Sequence, residues 1–180
     1  MKINKVALIG IFTSCWAAVE LVVGSILHPA PSSILSPGAI LIIFIIPLLT
    51  AVNKLEPRFG SITVIGLFTA ILKLISVGGV KFVPALAIFI EALIFDLIIH
   101  LFPESYKKSK IIAAGLSAAV AGSAAGAIIG GYTIGLFDGK TWAFISYYLC
   151  FRVGKALIGG VIGTIIGITV QNRLAGYVKN

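Results

Sequence analysis

The stretch IFIEALIFDLIIHLF, residues 88–102, is apolar enough for the hydrocarbon of a bilayer, yet it carries Glu91, Asp96 and His100. An ionised side chain near the bilayer centre costs about 2.5–3.5 kcal/mol on insertion scales. A helix that keeps three ionisable groups there turns them toward protein, water or a ligand rather than toward lipid. The two acids are five residues apart and stand about 140° apart around a helix axis, so they serve different neighbours. Asp96 and His100 are one turn apart and share a face.

Outward from this segment the chain keeps the same character. Of its 180 residues 59% are hydrophobic and 11% charged, against about 45–50% and about 25% in a soluble domain. The chain reads as an all-α integral membrane protein, one transmembrane domain over residues 1–180, with no polar stretch long enough to form a soluble module. A hydrocarbon core about 30 Å thick takes roughly 17–25 helical residues per crossing. Six segments fit that requirement: 6–27, 37–53, 61–77, 83–102, 111–137 and 141–171. A cleavable secretory signal is not expected, because the first apolar run exceeds the about 7–15 residues of a signal and contains Glu20.

The formal net charge is +8, and the positions of the charges assign it to topology. Lys2, Lys5, Lys54, Arg58, Lys107, Lys108, Lys110, Arg173 and Lys179 fall on one side of a six-crossing bundle, and only Lys81 and Lys140 on the other. Basic residues of short loops stay cytoplasmic, which predicts both termini in the cytoplasm and a multi-pass protein of the cell membrane. The surplus also favours anionic lipid, and no basic stripe with interleaved aromatics calls for nucleic acid. Cys15 and Cys150 stand in separate apolar segments without redox or metal spacing and read as small packing residues.

Helices approach one another in membranes through small residues spaced four apart. Ala118, Gly122, Gly126 and Gly130 form one such row, and Gly159, Gly163 and Gly167 another. Helical geometry carries the second row on to a stripe of Tyr148, Arg152 and Lys155, groups Gly66, Thr69 and Lys73 on the third segment, and groups Thr13, Trp16, Glu20 and Gly24 on the first. A second stripe on the first segment, Gly10, Ser14 and Ala18, is turned from Glu20 by roughly 80–160° and implies a separate protein contact. The helical rise places Glu91 near mid-span, Glu20 and Lys73 roughly 6 Å to the outer side, and Asp96 about as far to the inner side.

Two readings of the intramembrane charges stay open. Glu20, Lys73, Glu91, Arg152 and Lys155 neutralise one another, or a subset lines an outward-facing pocket with Trp16, Tyr132, Trp142, Tyr147 and Tyr148 as stacking surfaces. Such a pocket suits a small, planar, polar solute. The candidate substrate-binding set is Glu20, Lys73, Glu91, Trp142, Tyr148, Arg152 and Lys155. Asp96 and His100 read as an interfacial pair, short of the three or four convergent ligands a metal wants, and His28 is a lone loop histidine. The loop HPAPSSILSPG, residues 28–38, holds three prolines and reads either as a lid or as a connector.

The pattern resembles the substrate-binding S components of energy-coupling factor (ECF) vitamin transporters. The resemblance spans nearly the whole chain and rests on its size and six segments. Local patterns add to it: the stripe Gly10, Ser14, Ala18, the PGA at 37–39, and PALAIFIEALIFDLIIHLF running into a basic loop. The last pattern is most similar to the thiamine or pyrimidine-precursor branch. The resemblance implies no enzyme activity and no cofactor. It implies capture of a vitamin or precursor at the outer side, with transport powered by a separate membrane coupling subunit and two ATPase subunits. It also implies docking on the coupling subunit through an AxxxA-like patch, mapped here to Gly10, Ser14 and Ala18, where two of three positions depart from alanine. The N-terminal histidine of the cobalt and nickel branch is absent from MKINKVAL, which argues against a metal substrate. The competing expectations are an ion-coupled secondary transporter or channel, for which no internal repeat is visible, and a small lipid-modifying membrane enzyme working through Asp96 and His100.

Overall fold

The computed structural model describes residues 4–27, 37–76, 82–102 and 107–178. Six helices account for nearly all of them: α1 Lys5–Leu27, α2 Pro37–Leu55, α3 Ser61–Ile75, α4 Phe82–Leu101, α5 Lys107–Thr133 and α6 Trp142–Val178. No strand occurs among the described residues. Pro37 opens α2, where its fixed φ suits a first helical position and its missing N–H removes no bond. His28 and most of the proline-rich loop lie outside the described residues.

The helix contacts close into a ring. α1 packs on α3, α3 on α4, α4 on α5, α5 on α6, α6 on α2, and α2 returns to α1. Small residues set the spacing at each tight step. Along the antiparallel α4–α5 pair, Gly130 faces Val83, Gly126 faces Ala87 and Gly122 faces Glu91. On α6, Gly163 lies against the backbone of Ile42 and Ile43, and Gly167 against Pro47 and Thr50, so α2 and α6 run parallel at backbone distance. A Cβ at Gly66 would collide with that of Ala92, which holds α3 close on α4. The two small-residue rows thus lie at helix contacts.

Four helices, α1, α4, α5 and α6, are long and apolar enough to cross a membrane. α2 and α3 contribute shorter apolar helices, Ile40–Leu55 and Ser61–Ile75; fifteen residues rise only about 22 Å. Apolar side chains fill the interior, with Trp16, Phe95, Ile46 and Leu49 fully buried. They also cover the outside, where Val6, Ile11, Ile75 and Ile165 are all more than half exposed. Water would not tolerate such a surface, and lipid requires it. This is a helical membrane protein.

Three sequence expectations shift. α5 begins at Lys107 and ends at Thr133 rather than spanning 111–137. Gly135 and Gly139 take positive φ, the chain reverses, and Phe137 folds back onto Gly131 and against Tyr132 and Tyr148. α6 continues to Val178, past the expected end at 171. Cys15 and Cys150 are exposed rather than packed inside, because both fall on helix faces that the ring turns outward.

Candidate functional site

The inner polar cluster begins on α1. Thr13, Trp16 and Glu20 recur at helical spacing on the face turned into the ring and are 6%, 0% and 6% exposed. Glu20 Oε2 meets Lys73 Nζ of α3 at 3.6 Å. Around this pair Ala17, Leu21, Thr69 and Leu72 enclose a cavity of about 10 Å³, room for about one water molecule. Thr69 bonds its own helix, its hydroxyl donating to the Ile65 carbonyl at 2.9 Å.

Glu91 reaches the same region from α4. It is 7% exposed, packs against Gly122 of α5, and lies close enough to Glu20 for their charges to interact. Among the described residues no cation stands within ion-pair distance of it. Three buried polar atoms here have no hydrogen-bond partner: Thr13 Oγ1, Trp16 Nε1 and Glu91 Oε1. The Trp16 indole is near the Glu20 carboxylate but outside hydrogen-bonding geometry. Each unmet buried group costs about 1–3 kcal/mol, so the region carries a cost for which folding gives no return.

A second group sits on α6. Arg152 lies over the Tyr148 ring at 5.8 Å, and Lys155 lies over Phe151 at 4.0 Å. Tyr148, Arg152 and Lys155 keep to adjoining positions on one side of α6, within about 60° of one another. Helical side chains lean toward the N-terminus, so each cation covers the ring one turn before it. Trp142 is 78% exposed and Tyr147 70%. The structure brings Glu20, Lys73 and Glu91 into one region. Tyr148 and Arg152 adjoin each other on α6, with Lys155 over Phe151 on the following turn and Trp142 at the start of the helix.

Asp96 and His100 make a third site at the other end of α3. Asp96 is fully buried, and its Oδ2 accepts from the Gly60 N–H at 2.9 Å, the Thr63 N–H at 3.0 Å and the Thr63 hydroxyl at 2.8 Å. α3 has no side-chain cap of its own because Gly60 precedes it. An acid on α4 therefore supplies the cap from across the contact, where the helix N-terminus favours negative charge. His100 Nδ1 lies 2.8 Å from the Asp96 carbonyl and 3.1 Å from Oδ1, with its ring edge-on to Phe59. Sequence reasoning placed Asp96 beside His100 but missed Gly60 and Thr63, which lie more than thirty positions away. A helix opening on glycine with no capping side chain was the available signal.

No family model, curated protein or solved structure matches this chain. The stripe Gly10, Ser14 and Ala18 is exposed on the outside of the ring, and a Cβ at Gly10 would meet nothing within 4 Å. No group of three or more His, Cys, Asp or Glu that could hold a metal occurs among the described residues.

Proposed function

We propose that this chain is the substrate-capture membrane subunit of an importer of the energy-coupling factor type. In this reading it crosses the cell membrane six times with both termini cytoplasmic. It binds a vitamin or cofactor precursor at the outer side, with a thiamine-like compound or pyrimidine precursor the first candidate. A separate membrane coupling subunit and two ATPase subunits drive transport, and the exposed Gly10, Ser14 and Ala18 face docks on the coupling subunit.

One observation carries the substrate part of this reading: unpartnered Trp16 Nε1 and Glu91 Oε1 belong to side chains near Glu20, which holds Lys73, and unpartnered Thr13 Oγ1 lies two turns back on the same face of α1. A polar solute would supply the missing partners. The cavity of about 10 Å³ is far smaller than a vitamin, so binding entails separation of α1 from α3, with Trp16 giving up its place. A ligand that binds only the folded chain raises its melting temperature. The detergent-solubilised chain is screened against single vitamins and their precursors. One compound is expected to raise the melting temperature by several degrees in the parent, and Glu91→Gln to weaken its binding at least tenfold. A flat response across the panel, or full binding by Glu91→Gln, overturns the assignment.

Glu91 itself favours a second reading, an ion-coupled transporter. A buried membrane carboxyl without a cation partner is a feature of proton pathways. Proton-driven uptake in liposomes holding this chain alone supports that reading over the first.

A further inference from the structure

The outward face of α6 changes character part-way along its length. Ile158, Ile162 and Ile165 are exposed apolar residues suited to acyl chains. One turn toward the N-terminus the same face becomes Lys155, Phe151, Tyr147 and Phe144, with Lys140 just before the helix. The Tyr147 and Phe151 rings stack at 6.2 Å with 11° between their planes. Lys155 Nζ sits over Phe151 at 4.0 Å, and Lys140 Nζ over Phe144 at 5.7 Å. The two cations thus lean toward one another from the ends of an aromatic column. Phe144 and Phe151 are seven residues apart, about 10 Å of rise.

From this geometry we infer that the face formed by Lys140, Phe144, Tyr147, Phe151 and Lys155 binds the headgroup of an anionic phospholipid. Three features of the face choose that occupant. Tyrosine, a ring with one polar end, settles at the lipid–water boundary, and here Tyr147 with Phe144 and Phe151 replaces isoleucines along one continuous face. Lysine stems lie along apolar surface and deliver the ammonium to that boundary. The charge is one-sided: α6 contains Arg152, Lys155 and Arg173 and no acid, and Asp138 is the sole acid between residues 105 and 180. A second copy of the chain meeting this face by a twofold axis would oppose lysine to lysine. A phosphodiester is complementary to it, since basic side chains at the membrane surface attract anionic headgroups. The inference does not depend on the importer reading.

The test uses the full chain in nanodiscs with Tyr147→Trp as reporter and Trp142→Phe to remove the other exposed indole. Trp16 is fully buried and gives a background shielded from lipid. Brominated phosphatidylglycerol or brominated phosphatidylcholine is added at equal low mole fraction to unbrominated phosphatidylcholine. The expected result is at least twofold stronger quenching by the anionic lipid, reduced to parity when Lys140→Gln and Lys155→Gln are combined. Equal quenching by the two lipids overturns the inference and leaves an unselective aromatic belt. So does absence of quenching by either, which indicates that protein, such as a second copy, covers the face. A thermal melt of the double lysine variant guards against misfolding. If it melts early, methylation of the lysines in the reporter chain replaces substitution; retained charge then keeps the preference, while selectivity that survives acetylation overturns the inference.

Discussion

Asp96 and Glu91 are five residues apart on α4, both buried, and the fold treats them in opposite ways. Asp96 receives three hydrogen bonds from the start of α3 on Oδ2, while its Oδ1 has no hydrogen-bond partner but lies 3.1 Å from His100 Nδ1. Glu91 has no cation within ion-pair distance among the described residues, and one of its oxygens likewise has no hydrogen-bond partner. Burial alone therefore does not mark a functional acid in a membrane protein. The distinction lies in whether the fold already uses the group. Asp96 is consumed in holding α3 against α4, and Glu91 is left available.

Substitution can erase or sharpen this contrast. The largest effect is expected at Lys73, where Lys73→Met turns Glu20 into a second unpaired acid. Breaking one side of a buried pair costs about 3–5 kcal/mol, read as a marked fall in melting temperature that Glu20→Gln in the same chain partly restores. Asp96→Ala comes next, at about 3 kcal/mol, because charge-assisted bonds to two backbone N–H groups and a hydroxyl vanish together. Hydrogen exchange should then rise first at the start of α3; unchanged exchange there would show that Asp96 does not cap it. Smallest is Ser14→Trp on the exposed face of α1, expected to move the melting temperature by no more than about 0.5 kcal/mol equivalent. On the docking proposal it blocks assembly with a coupling subunit, measured by co-purification, and normal assembly removes that surface from consideration.

The sequence made much of this legible because helix periodicity and lipid solvation act locally. Residue type and spacing were enough to put Thr13, Trp16 and Glu20 on one face, to align Gly122, Gly126 and Gly130, and to pair Asp96 with His100. The same reasoning set Arg152 and Lys155 along one stripe but did not foresee that each lies over the ring one turn before it, Tyr148 and Phe151. It also read Cys15 and Cys150 as packed. Which side of a helix faces the ring depends on neighbours, and a glycine or cysteine reads alike on either side.

What the residues fixed unaided was a helical chain for a lipid environment, with its ionisable groups few and placed against the average, since these follow from transfer energies and a 3.6-residue repeat. Only the assembled ring decided that Glu20 meets Lys73, that α4 caps α3 through Asp96, and that Glu91 meets no cation among the described residues. Those outcomes depend on which helices become neighbours and at what height, and close contact between distant segments is a property of packing rather than of local pattern.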